Sequence, residues 1–381
     1  MPIKENKSTL ATIFSVTWMG VLGVNIISPA LANIRDGLLI TGPEVAMLIT
    51  AFTLPGVFFA PVMGVIADRF GRKRVLIPSL FLFAVTGVGC AFVDYQIMLV
   101  LRFLQGIGAS ALVALSSALI GDLFEGLDRV KAIGYNAAAL SMGVVFSFVL
   151  GGILADIDWR LIFIAFSVAF PIGVSVYFIS SPEVVSEESI RSYFFETVSF
   201  LKNRTLLLHY ASGIAVFIIL YGAFISYFPM LLEDDFSIRP FVVSLILASM
   251  NAFAALFSTR LDYFVRRLGS IRTIRYGFIC YSLSMLCIAL LPFPLLLVST
   301  FVLGLGHGMT LPAIQELILS SAPDNHRGIA MTTFGWVMKI GQTLGPVVAS
   351  LAVYFHSTDA VFMVMAGIAA VLAFFYYSIN K

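Results

Sequence analysis

Charge is what this chain has least of. Only 12% of its 381 residues are Asp, Glu, Lys or Arg, against about 25% in soluble domains. That shortage excludes a large water-soluble domain. A net charge of +2, with no cationic stripe, excludes a nucleic-acid partner. Only three cysteines occur, Cys90, Cys280 and Cys287, all inside apolar segments, so no disulfide or zinc framework is expected. The four histidines, 209, 307, 326 and 356, are scattered. No phosphate-binding glycine loop, Gly-x-Ser-x-Gly nucleophile, paired catalytic aspartates or metal-spaced histidines can be found, and an enzyme is not expected. Without a nucleotide site or any other cofactor, the expected energy source is an ion gradient.

Apolar sequence fills the space. Hydrophobic residues make up 60% of the chain. Runs longer than the 18 residues needed to span a bilayer follow one another along the length. The expected class is an all-α multi-pass protein of the cell membrane. Twelve helices are predicted over 10–32, 44–67, 75–93, 96–120, 130–155, 160–181, 206–231, 240–261, 271–291, 294–320, 328–354 and 358–379, numbered 1 to 12 below. The segment after the short charged N-terminus is too long for a signal sequence and is expected to remain as the first span. One long polar stretch, 182–204, is expected to be a cytoplasmic linker between two six-helix bundles, 1–181 and 205–381.

Cations set the expected topology. Of 23 Lys and Arg, only Arg35, Arg160 and Arg239 fall in the outer loops, and only Arg102 and Lys339 fall within spans. The rest lie on the side of the N-terminus, so both termini are expected inside. A shift of 198 residues superposes Gly71 on Gly269, Arg74 on Arg272, Gly106 and Gly108 on Gly304 and Gly306, Arg129 on Arg327, and Gly143 on Gly341. One register held across four helices implies two pseudo-repeats, the layout of transporters that rock two bundles around a central site.

The tightest charge cluster is Gly64-Val-Ile-Ala-Asp68-Arg69-Phe-Gly71-Arg72-Lys73-Arg74. An acid at the carboxyl end of a helix opposes the helix dipole, so Asp68 needs a positive partner. Gly64 is expected to admit a neighbouring helix, and Gly71 to permit a sharp reversal. Within helix 4, Arg102 stands in apolar sequence with Gln105 on its face and Gly106 beside it. Arg102 lies about six residues from the outer end of the helix, and an arginine near a helix centre costs about 2.5–3.5 kcal/mol on insertion scales.

These residues resemble the major facilitator superfamily. The 64–74 run matches its signature between helices 2 and 3 at every defining position, and the twelve spans extend the likeness over the whole chain. The resemblance implies that Gly64, Asp68, Arg69, Gly71, Arg72 and Lys73 form a conformational switch. In it, Asp68 joins a charge network with the start of helix 11 near Gly328. The repeat copy, Asp262 to Arg272, keeps Gly269 but has Arg266 in place of the acid. Arg102-x-x-Gln105-Gly106 and Ser28-Pro29-Ala30-Leu31 resemble motifs of proton-coupled drug exporters in that superfamily, where the arginine is tied to proton transfer. Their Gly-Pro in helix 5 is missing here: the chain reads Ser147-Phe148 before Gly151-Gly152, and Gly345-Pro346 stands at the repeat position in helix 11. The antiporter signature is therefore half present.

The expected function is proton-coupled efflux of amphipathic organic compounds by alternating access. The alternative is uptake or facilitated movement of a small metabolite, an anion among the candidates. Arg102, Gln105, His307 and Glu316 are the candidates for proton coupling. Histidine titrates near neutral pH, and Glu316 is expected to be the buried acid of helix 10. Asn25, Asn136, Tyr221, Tyr227, Asn251, Gln315, Trp336 and Lys339 are the candidates for the substrate cavity. Lys339 is expected to hold an anionic substrate or to pair with Glu316. The expected partners are a small molecule, protons and lipid, with the chain working as a monomer.

Overall fold

The computed structural model describes residues 7–179, 204–322, 327–355 and 357–379. Among them there is no strand, and twelve helices are long and apolar enough to cross a bilayer. They are α1 Lys7–Leu38, α2 Gly42–Phe70, α3 Arg72–Phe92, α4 Tyr95–Leu123, α5 Gly126–Ala155 and α6 Arg160–Tyr177. After them come α7 Leu206–Asp234, α8 Pro240–Ser258, α9 Ser270–Leu290, α10 Leu296–Ser321, α11 Arg327–Phe355 and α12 Thr358–Ser378. The expected linker lies almost wholly outside the described residues. Large apolar side chains such as Phe58, Val100, Met142, Leu351 and Phe374 stand exposed along these helices. An apolar surface on that scale suits lipid, where the helical backbone satisfies its own polar groups.

The chain divides into two units, one of residues 1–39 and 51–192, the other of 40–50 and 193–381. This differs from the expected 1–181 and 205–381 in that the opening turns of α2 group with the second unit, where Thr50 Oγ1 donates to the carbonyl of Thr343 at 3.3 Å.

The 198-residue repeat is written into the packing of each unit. A Cβ placed on Gly106 would stand 2.1 Å from the carbonyl oxygen of Phe52 in α2 and 2.9 Å from the Pro55 ring. The equivalent Cβ on Gly304 would meet the Met250 carbonyl and, at 2.5 Å, Phe253 Cβ in α8. Gly108 faces Ser79 and Phe83 of α3, and Gly306 faces Gly277 and Tyr281 of α9. Every one of these contact positions is offset by the same register. Small residues let helix backbones touch, and in lipid that close packing replaces the hydrophobic drive.

Both sharp reversals repeat as well. Gly71 and Gly269 precede α3 and α9 with φ of 96° and 79°. A Cβ at either position would be strained. Arg129 lies against Gly121, and its counterpart Arg327 donates from Nε to the carbonyl of Leu319 at 3.2 Å. In both repeats an arginine at the start of the fifth helix folds back onto the end of the fourth.

Several spans are not uniform helices. α1 breaks after Asn25, tightens to a 3-10 turn over Ser28–Ala30 and resumes at Leu31. Pro29 supplies the reason, since it has no N–H to continue the ladder. α7 widens to a π-helical stretch over Leu220–Tyr227, where Ser226 Oγ donates to the carbonyl of Tyr221, five residues back, at 2.6 Å. There Gly222 meets Gly345 of α11 backbone to backbone, just before Pro346.

Candidate transport and coupling sites

In the first unit the candidate coupling group is Arg102, which is wholly buried. The period of α4 puts Gln105 on the same face, and Arg102 Nη1 donates to Gln105 Oε1 at 2.6 Å. Its Nη2 donates to the carbonyl of Gly23 in α1 at 2.7 Å. The guanidinium lies 4.3 Å from the centre of the Phe52 ring, a cation–π contact. Gly23 carries no side chain because Phe52 fills that space: a Cβ there would stand 2.1 Å from the ring. Three helices therefore meet around one planar cation. Arg102 and Gln105 were legible as a pair by spacing. The Gly23 carbonyl was not, since a backbone acceptor leaves no mark in sequence.

Asn25, two residues after Gly23, is buried and donates from Nδ2 to the Val21 carbonyl of its own helix at 2.7 Å. Asn136, expected in the substrate cavity, is instead locked in a hydroxyl cluster inside the first unit. Thr17 Oγ1 donates to Asn136 Oδ1 at 2.7 Å, and Asn136 Nδ2 donates to Ser117 Oγ at 3.2 Å. Such an amide joins α1, α4 and α5. Each of its two polar atoms has a partner inside the unit.

The 64–74 cluster resolves into distinct tasks. Arg72 ion-pairs with Asp122 of α4, lies 3.5 Å from Asp68, and donates to the carbonyl of Ala118. This is the positive partner that Asp68 requires. Lys73 donates to the carbonyls of Tyr177, at 2.8 Å, and Ile179, at the end of α6. A cation there satisfies orphan carbonyls and complements the negative end of the helix dipole. Arg69 is exposed and stacks over Phe70. At Gly64 a Cβ would meet nothing within 4 Å among the described residues, so the expected close approach is not seen there. In the repeat copy, Arg266 stands 3.9 Å from Asp262, an exposed pair of little worth.

In the second unit, the reading of Glu316 as a buried acid is corrected. Glu316 is exposed, and its Oε2 accepts from Ser270 Oγ at 2.7 Å. The turn of α10 aims it at the start of α9, where the helix dipole favours an anion. It does not pair with Lys339, whose Nζ donates to Gln342 Oε1 at 3.1 Å. His307 Nδ1 is hydrogen-bonded to the Tyr281 hydroxyl at 2.6 Å, a partner that spacing along one helix could not show. Tyr227 is buried and hydrogen-bonded to Ser350 Oγ at 3.0 Å. Asn251 turns its amide to the Leu247 carbonyl of its own helix. Tyr221, Asn251, Gln315, Trp336 and Lys339 are half-buried. Among the described residues no cluster of His, Cys, Asp and Glu suited to a metal occurs.

The family model described as Major Facilitator Superfamily matches residues 13–294 and again 211–381. The chain belongs to the Major Facilitator Superfamily. Members of this superfamily are transporters, and this chain is a multi-pass membrane transporter, not an enzyme. It is 24% identical to Multidrug resistance protein 1 of Bacillus subtilis over 365 residues, covering 92% of this chain and 90% of that protein. It is 26% identical to the Bacillibactin exporter of the same organism over 385 residues, covering 96% and 94%. The crystal structure of the nucleoside transporter NupG superposes with a TM-score of 0.82 at 15% identity, covering 98% of this chain and 99% of that one. That of a D-xylose-proton symporter gives 0.76 at 14% identity, covering 98% and 97%. At such identities the structural likeness concerns the fold.

Proposed function

We propose that this transporter is a proton-coupled exporter of amphipathic organic compounds that works by alternating access. The observation that carries the reading is Arg102, a buried cation joining α1, α2 and α4 through Gly23, Phe52 and Gln105. An ionisable residue inside a span is costly, and a function repays that cost more readily than packing does. The names of two relatives, a multidrug resistance protein and a bacillibactin exporter, support efflux of organic molecules.

Roles follow from the geometry. Arg102 and Gln105 hold the backbone of α1 beside its break at Asn25 and Pro29, so a change in their hydrogen bonding is transmitted to the helix that bends there. His307, tied to Tyr281, is the proposed titrating group of the second unit. Asp68 and Arg72 form the proposed switch, with Asp68 reaching towards the start of α11 in one state of the cycle. The half-buried Tyr221, Asn251, Gln315 and Trp336 offer substrate contacts.

The competing reading is uptake of a small metabolite. The missing Gly-Pro in α5 favours it, since the helix 5 half of the exporter signature is absent. One experiment separates them. The protein is reconstituted in vesicles with a pH-sensitive dye inside, a pH gradient is imposed, and candidate amphipathic compounds are added. Proton movement opposite to substrate flux supports export. Proton movement in the same direction replaces it with symport, and no proton movement with any compound removes coupling altogether.

A further inference from the structure

Lys339 sits near the middle of α11, half-buried in apolar sequence. Among the described residues its ammonium has one hydrogen-bond partner, the Gln342 side-chain oxygen at 3.1 Å. Among the described residues no carboxylate lies within ion-pair distance. An amide fixes the position of a cation without neutralising it. An ammonium has three N–H groups, and Gln342 takes one.

The seam between α11 and α7 uses a different face. Gly341 packs on the Ile214 carbonyl and Gly345 on Gly222. Lys339 is two residues from Gly341, turned well away from that seam by the 3.6-residue period. Gly335 is one turn from Lys339 on the same face. A Cβ there would meet nothing within 4 Å. Between them stands the half-buried indole of Trp336. A held cation, open space on its own face and an aromatic ring beside it make a receptor for an organic anion.

We infer that Lys339 is the anion-binding residue of the transport site, positioned by Gln342, and that the transported compounds carry an acidic group such as a carboxylate beside an apolar body. This inference rests on the transporter reading and narrows its substrate class.

The test is a binding titration on the full chain in detergent. Two dyes of one scaffold serve as probes, anionic carboxyfluorescein and cationic rhodamine 123, read by fluorescence anisotropy. Saturable carboxyfluorescein binding is expected, weakened about tenfold or more by Lys339→Met, a change of one logarithmic unit in Kd. Lys339→Arg should keep most of it. Gly335→Leu, whose side chain enters open space and so leaves folding intact, should also weaken it. Rhodamine 123 binding should be unchanged or tighter in Lys339→Met. The inference is overturned if the unaltered protein does not bind carboxyfluorescein, if Lys339→Met binds it equally well, or if Lys339→Met loses both dyes together. The exporter reading fails separately. Carboxyfluorescein bound through Lys339 without any proton movement in vesicles leaves the anion site standing and removes the coupling. Proton-driven efflux of rhodamine 123 that ignores Lys339, with no carboxyfluorescein binding, does the reverse.

Discussion

Arg102 of α4 and Gly23 of α1 are joined by a 2.7 Å hydrogen bond from the guanidinium to the backbone carbonyl, with Phe52 of α2 stacked on the same cation. Only a planar fork reaches a carbonyl and the Gln105 oxygen at once while presenting a flat face to a ring. Arg102→Ala should abolish proton-coupled transport while the protein remains monodisperse in detergent. Arg102→Lys should restore little, since a point charge cannot serve all three partners. Internal pH recorded in vesicles on substrate addition measures both, and a fully active Arg102→Lys would show that charge alone suffices.

The helix contacts of the two repeats depend on glycine at matching positions. Gly106→Leu would drive a side chain into the Phe52 carbonyl, and Gly304→Leu into Phe253. Overpacking of this kind costs about 1–3 kcal/mol or more. Both variants should lower the midpoint of thermal unfolding followed by tryptophan fluorescence, and Gly106→Leu should do so more, because its nearest obstacle lies at 2.1 Å against 2.5 Å for Gly304.

Gly64 makes the opposite case. Nothing lies within 4 Å of a Cβ there, so Gly64→Leu should fold with unchanged thermal stability. If a helix closes on Gly64 elsewhere in the cycle, transport should slow at least several-fold. A normal transport rate in Gly64→Leu would show that no such approach occurs.

Arg72 and Arg74 are neighbours with unequal work. Arg72 is largely buried against Asp122 and the Ala118 carbonyl, whereas Arg74 is exposed. Arg72→Gln should cost about 1.5–3 kcal/mol, the usual range for a hydrogen bond to a charged group. Arg74→Gln should cost less, about 0–1 kcal/mol, the range for interactions of exposed charges. Chemical or thermal unfolding of the two variants side by side decides it, and equal losses would mean that the cluster acts only as a diffuse positive anchor.

Glu316 gives a prediction against the sequence expectation. Its carboxylate is exposed and accepts from Ser270, and a glutamine oxygen accepts the same bond. Glu316→Gln should therefore keep a transport rate within about twofold of the parent, a difference well under the 1.4 kcal/mol that a tenfold change represents. Complete loss of coupled transport would return Glu316 to the proton pathway.

Twelve apolar runs are a property of composition along the chain, so the spans were legible with ends shifted by only a few residues. The 198-residue register was legible for the same reason: helix-to-helix contact in lipid selects small residues, and glycines leave a visible pattern. Arg102 with Gln105 could be read because the pair shares one helix face. The partners of Asn136 and the exposure of Glu316 were not legible, because a face cannot be assigned a neighbour from one helix alone. Asn136 turned out to answer Thr17 and Ser117, and Glu316 to answer Ser270.

By itself the sequence determined the class, the number of spans, the repeat and the sites where charge enters the apolar region, because those depend on chemistry local to each helix. Tertiary structure alone decided which partner each of those charges meets. Gly23 for Arg102, Tyr281 for His307, Asp122 for Arg72 and the carbonyls of Tyr177 and Ile179 for Lys73 all come from other helices. Their distances are set by how helices pack, and a linear chain records packing only where it forces a glycine.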